Sequence, residues 1–166
     1  FYIKMDSIIW LKEVNQHDLF KVGKKAVELS NLMKHNISVP QGFVVNGLAF
    51  MDFLERNKIG KRISDKIKKL DLEDKNSVEE ASLSIQNLIL ESSIDGRTKE
   101  DILEAYDNLN INAEFFKEIN KEALSIIRAG KEFPFVVLRA NFTENISDIY
   151  INFFSIKGNS NLIESI

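Results

Sequence analysis

Two cations in this sequence stand in settings suited to phosphate chemistry. Lys25 closes the run Val22-Gly23-Lys24-Lys25, which joins glycine to lysine. Glycine allows backbone to approach an anion closely, and lysine neutralises it. The run is not a Walker A loop, which needs G-x-x-x-x-G-K-[ST]. Arg139 directly follows the apolar run Phe135-Val136-Val137-Leu138. In α/β proteins ligands bind outside the carboxyl ends of strands, and a guanidinium suits bidentate phosphate contact. On spacing alone, a structural ion pair with a nearby carboxylate accounts for Arg139 at least as well.

Other chemistry is poorly supported. His17 and His35 are the only histidines, and neither has a partner at metal-ligand spacing, so both read as surface residues, with His17 next to a candidate local cap at Asp18. The basic stretch Lys58, Lys61, Arg62, Lys66, Lys68 and Lys69 has Asp65 within it and Asp71, Glu73 and Asp74 beside it, and contains no aromatic. It reads as a solvated helix face and not as a nucleic-acid surface. There is no cysteine, which removes disulfides, thiolate metal sites and cysteine nucleophiles. No G-x-S-x-G elbow is present.

The elements that must position these residues follow from periodicity. Ile8-Ile9-Trp10-Leu11 reads as a strand. Val22, Ala26, Leu29, Leu32 and Met33 predict a helix over 22–36. Val39-Pro40-Gln41-Gly42 is a turn leading into the β-branched strand Phe43-Val44-Val45. Leu48 to Asn57 is helical. Ile59, Ile63, Ile67 and Leu70 form a further stripe. Ser77 and Glu80 suggest a capping box for the next helix, and Thr98 with Asp101 the start of another after the break at Asp95-Gly96. Phe115, Ile119, Ala123, Ile126 and Ile127 predict one more, ending near Gly130. Strands are expected at Phe135 to Leu138 and Ile149 to Ile156, joined by a short polar connector that suits neighbours in one sheet. Asn159 or Ser160 is expected to cap a last helix. Strands near both ends with helices between predict a single helix-rich α/β (α+β) domain whose ends share a small sheet.

Composition agrees with this. A chain of 166 residues with 12 Phe and 44% hydrophobic residues can build a core unaided. The net charge of −3 argues against a nucleic-acid partner. No apolar run approaches the roughly 18 residues of a membrane span, and no secretory h-region opens the chain. A cytoplasmic location is therefore the simplest expectation. The chain begins with Phe, so residues 1–4 read as a tail, with Met5 a candidate natural start and 5–166 the domain.

In combination the segments resemble the phosphoenolpyruvate synthase and pyruvate phosphate dikinase family. Val22 to Leu32 resembles its V-G-G-K-G-A-N-L-G-E-L, and Val39 to Val45 its V-P-x-G-F-x-V. Phe135 to Arg139 resembles V-A-V-R, and Phe153 to Gly158 resembles T-F-L-N-V-x-G. The order is the family's, and the resemblance extends from Ile8 onward. It implies the first lobe of an ATP-grasp-like domain that binds ATP with Mg2+ and passes phosphate to a histidine on a swivelling domain, from which a barrel domain phosphorylates pyruvate. It further implies that Lys25 contacts nucleotide, that Arg139 contacts phosphate, and that Glu144 stands at the family's acidic position.

The departures are specific. Lys24 and Ala26 replace two glycines, and Ala140-Asn141 replaces two serines. The S-F-A-G-Q loop expected to cover the phosphates is missing, and Asn145 to Tyr150 stands in its place. The family's magnesium-binding carboxylates, its T-x-G-G-x-x-S-H-A histidine segment and its barrel have no counterpart in these residues. Two expectations follow. The first is an ATP-binding lobe of a pyruvate, water dikinase-like phosphotransferase, inactive alone and partnered by nucleotide and by the remaining domains or another chain. The second is a degenerate, non-catalytic interaction module. A helical adaptor outside the family is a third reading.

Overall fold

The computed structural model of the chain describes residues 7–109, 132–142 and 151–166. Strand β1 (Ile8–Trp10) leads through two short 3-10 turns to helix α1 (Leu19–Val22) and helix α2 (Lys24–Lys34). Strand β2 (Phe43–Val45) follows, then helices α3 (Gly47–Arg56), α4 (Gly60–Lys68), α5 (Lys75–Leu90) and α6 (Gly96–Asn108). Strands β3 (Val136–Arg139) and β4 (Asn152–Ile156) precede helix α7 (Asn159–Ser165). The architecture is helix-rich α/β, with strands near both ends. The helix expected over 115–130 lies outside the described residues.

The strands form two antiparallel pairs, not the one shared sheet expected. Ile8 pairs with Val45 and Trp10 with Phe43 in the first. Val136 pairs with Ile156 and Leu138 with Phe153 in the second, so the expected adjacency of the last two strands is observed. Between those pairs β4 has one residue more than β3, and Ser155 takes up the excess as a bulge with φ 60°.

What the two ends share is a core, and side-chain alternation explains how. Successive residues of a strand face opposite sides. Ile9 and Val44 pack on a cluster of Leu11, Val14, Val22, Ala26 and Val27, on the α1–α2 side. Ile8, Trp10, Phe43 and Val45 pack on a second cluster of Ile102, Tyr106, Leu109 and Leu162, which also receives Val136, Leu138 and Ile156. The β1–β2 pair is thus covered on both faces, one by the helices and one by α6, α7 and the β3–β4 pair. Burying a side chain such as Ile102 contributes about 1.5–3 kcal/mol. Trp10 and Phe43 meet edge to face at 5.8 Å.

Tyr106 ties this layer together. It is fully buried. Its hydroxyl donates to the Pro134 carbonyl at 2.7 Å and accepts from the Gly158 amide at 2.9 Å. The chain thus enters β3 and leaves β4 on a single side chain of α6.

Several local expectations are corrected by hydrogen bonding. The helix predicted over 22–36 is broken at Gly23, whose φ of 76° and ψ of 166° are not helical. Asp74, not Ser77, caps α5 by accepting from the Asn76 amide. Ser77 lies inside the helix and accepts from the Asp71 amide. Asp95 caps α6 through the amides of Arg97 and Thr98, so that helix begins before Thr98. The last helix has Gly158 as its cap residue and no side-chain cap bond, in place of Asn159 or Ser160. Asn15 and Asp18 form a reciprocal cap around exposed His17.

Candidate functional site

Helix α2 is placed by its own side chains. Ala26 and Val27 enter the first core cluster. On the same helix, Ser30 Oγ and Lys34 Nζ both donate to the Val14 carbonyl at 2.7 Å. The N-terminus of α2 is therefore held in a set position, with Gly23 leading into it and Lys24 and Lys25 as its first two residues. Lys24 is exposed and lies 3.7 Å from Glu28 one turn on, a weak solvent-screened pair. The methyl group of Ala26 is buried in the core, so this departure from glycine fills packing space.

Gly23 is required by two constraints at once. Its backbone lies in a region that only glycine enters without strain. A Cβ there would also lie 2.5 Å from the Phe142 carbonyl oxygen and 2.6 Å from Asn141 Oδ1. The turn before α2 thus presses directly on the segment that follows β3.

That segment carries Arg139. Inner and outer positions alternate along β3: Val136 and Leu138 face the core, while Arg139 is exposed. The Ala140 amide continues the pairing to the Ile151 carbonyl at 3.0 Å. Half-buried Lys25 donates its ammonium to the Ala140 carbonyl at 3.4 Å, across 115 residues of sequence. Asn141 Nδ2 donates to the carbonyl of Val22. Lys25 is thereby brought beside the residue that follows Arg139. The structural ion pair considered for Arg139 is not found among the described residues. Glu144 lies outside the described residues.

The other candidates remain apart from this junction. His17 and His35 are exposed, at the first 3-10 turns and at the end of α2. Of the basic stretch, Lys58, Lys61, Arg62, Lys68 and Lys69 are exposed on and around α4, as a solvated face requires. Among the described residues no three His, Asp or Glu side chains gather to hold a metal ion, and no helix is long and apolar enough to cross a membrane. Asn141 was noted in the sequence only as a lost hydroxyl. Its buried Oδ1, without a hydrogen-bond partner among the described residues, and its bond to Val22 emerge only in three dimensions.

Comparison with known proteins bears on this junction. The chain is 33% identical over 82 residues to a protein named probable phosphoenolpyruvate synthase from Archaeoglobus fulgidus, covering 49% of this chain and 11% of that one. It is 28% identical over 111 residues to phosphoenolpyruvate synthase of Escherichia coli, covering 64% and 14%. It is 30% identical over 88 residues to rifampicin phosphotransferase of Bacillus subtilis, covering 52% and 10%. The match thus spans roughly a tenth of the length of these relatives. Residues 20–130 match the family described as pyruvate phosphate dikinase, AMP/ATP-binding domain, a span that holds the Gly23–Lys25 turn and stops short of Arg139. With well over half of its residues in that match, and the V-G-K and V-P-x-G-F segments leading into α2 and β2, the chain belongs to the pyruvate phosphate dikinase AMP/ATP-binding domain family.

Proposed function

We propose that this chain is the ATP-binding lobe of a phosphoenolpyruvate synthase-like phosphotransferase, with Lys25 and Arg139 as its phosphate-contacting cations. One observation carries this reading: the Lys25 ammonium rests on the carbonyl of the residue after Arg139, in a family described as AMP/ATP-binding. A polyphosphate bound at the end of β3 would draw on the Lys25 ammonium and the Arg139 guanidinium together. Phosphoryl transfer relies on positioning and charge compensation more than on covalent chemistry, so such cations are the part a binding lobe would supply. Glu144 belongs to the proposed site by its sequence position alone. Family membership favours this reading over a non-catalytic interaction module.

On this reading residues 5–166 form one partial nucleotide-binding domain. Transfer to pyruvate would need the histidine-bearing and barrel domains, and the setting would be the cytoplasm. The described residues do not fit a magnesium site, since no three carboxylates or histidines converge. Magnesium would arrive with the nucleotide.

The test is a chemical-shift titration of the 166-residue chain with magnesium–ATP. Two screened cation–phosphate contacts contribute about 1 kcal/mol each. Together that is about 2 kcal/mol, so affinity should be no better than millimolar, which would need about 4 kcal/mol. Lys25→Ala and Arg139→Ala should each weaken it, and added salt should weaken it further. Equal binding by wild type and the double variant would remove both residues from the site. Production of phosphoenolpyruvate from pyruvate by this chain alone would overturn its role as one lobe of a larger enzyme.

A further inference from the structure

We propose that Asn141 is a positioning residue that fixes the Lys25 turn relative to Arg139, an inference that rests on the nucleotide-binding reading above. The two segments clasp each other reciprocally. Lys25 of the turn donates its side chain to a backbone carbonyl beyond β3, that of Ala140. Asn141 beyond β3 donates its side chain to a backbone carbonyl of the turn, that of Val22. Val22 ends α1, and a carbonyl at a helix end lacks an intrahelical partner. The Asn141 amide supplies one, immediately before the residue whose backbone is forced out of helical geometry.

The clasp is tight because Gly23 has no side chain. A Cβ there would lie 2.9 Å from Asn141 Cγ, so the amide group packs directly against the glycine backbone. A serine at 141 would end one bond short of the position of Nδ2. Where the resemblance leads one to expect hydroxyls facing phosphate, Asn141 has its amide donor directed at protein backbone. It therefore acts on a nucleotide through Lys25 and not by touching phosphate with Nδ2. Its Oδ1, buried and without a partner among the described residues, adds no donor toward an anion.

Coupling is what separates positioning from general support. In the 166-residue chain, Asn141→Ala should weaken magnesium–ATP about fivefold, the fold-change expected for one neutral hydrogen bond. Asn141→Leu, which keeps the shape and removes the donor, should do the same. With Lys25→Ala already present, neither should weaken binding further, because interacting residues are not additive. The same fivefold loss in both backgrounds, or no loss in either, overturns the proposal. Hydrogen exchange without nucleotide gives a second arm. Amides of residues 23–27 should exchange about fivefold faster in Asn141→Leu, with α5 unchanged. Unchanged exchange at 23–27, or a uniform increase along the chain, also overturns it. If the wild type shows no shifts with magnesium–ATP while the exchange effect is present, the nucleotide reading fails and the clasp stands.

Discussion

Replacing Gly23 by alanine tests the junction most directly, because two readings of the same residue give opposite signs. If the helix ran unbroken from Val22 to Asn36, Gly23→Ala would stabilise the chain by about 0.5–1 kcal/mol, glycine being the poorer helix former. The structure demands the reverse. A residue other than glycine at φ 76° and ψ 166° costs about 1–3 kcal/mol in backbone strain. The new Cβ would begin 2.5 Å from the Phe142 oxygen, so the strand end must retreat by close to an ångström to reach ordinary contact. That retreat breaks the Asn141–Val22 hydrogen bond, worth about 1 kcal/mol. The total is a loss of about 2–4 kcal/mol, a large share of a domain's usual 5–15 kcal/mol. Gly158 supplies the control. Its φ of 88° and ψ of 157° lie in the same region, but among the described residues nothing stands within 4 Å of a Cβ there. Gly158→Ala should therefore show the backbone cost without the collision. Gly96 has neither constraint, and Gly96→Ala should be neutral or stabilising by up to about 1 kcal/mol. Urea denaturation midpoints at constant slope measure all three. Stabilisation by Gly23→Ala would refute the break in the helix, and equal losses at 23 and 158 would refute the close approach of the strand end.

Tyr106→Phe should cost about 1–3 kcal/mol, because it leaves the Pro134 carbonyl and the Gly158 amide without their shared buried partner; a midpoint within error of wild type would show that hydroxyl to be dispensable. Asp95→Ala removes the cap of α6 and should cost about 1 kcal/mol at neutral pH. The Asp95 carboxyl is held below the usual carboxylate range, chiefly by the Thr98 hydroxyl, with help from the Thr98 and Arg97 amides and the Arg56 charge and against partial burial. Its charged form is thus favoured in the folded chain. That contribution is complete above the ordinary carboxylate pKa of about 3.9 and fades as pH falls through the lower folded value. The stability gap between wild type and Asp95→Ala should hold from pH 7 to pH 5 and narrow only below about pH 4; a gap already closed at pH 5 would contradict the cap. Ser30→Ala should also destabilise by about 1 kcal/mol, since Ser30 is buried and donates to the Val14 carbonyl; denaturation midpoints check this, and no change would mean Lys34 alone anchors that carbonyl.

Much of the fold was legible in the sequence. Apolar spacing located α2, α3, α5 and α6 to within a few residues, and Pro40 with Gly42 marked the turn into β2. The short polar connector between two apolar runs was enough to pair β3 with β4. These features are local: they depend on side-chain period and on the dihedral preferences of single residues. The caps were less legible, because Ser77 competes with Asp74, and Thr98 with Asp95, for the same orphan amides, and the winner depends on where the preceding loop enters. The division into two strand pairs was not legible either, since Ile8 to Trp10 could serve one core or two until α6 occupied one face of β1.

For the site, the sequence by itself determined which residues have suitable chemistry: a lysine beside a glycine and an arginine at the end of an apolar strand. Tertiary structure decided that Lys25 lies beside Ala140, the residue that follows Arg139. The contact of Lys25 with Ala140 closes a loop of 115 residues, and no local period or propensity encodes such a closure. It follows from the packing of α2 on one face of the β1–β2 pair and of β3 on the other, which brings the turn at Gly23 against the end of β3. The part taken by Asn141 could not be read from its type, because an asparagine after a strand is ordinary until the carbonyl it must satisfy is seen across that junction.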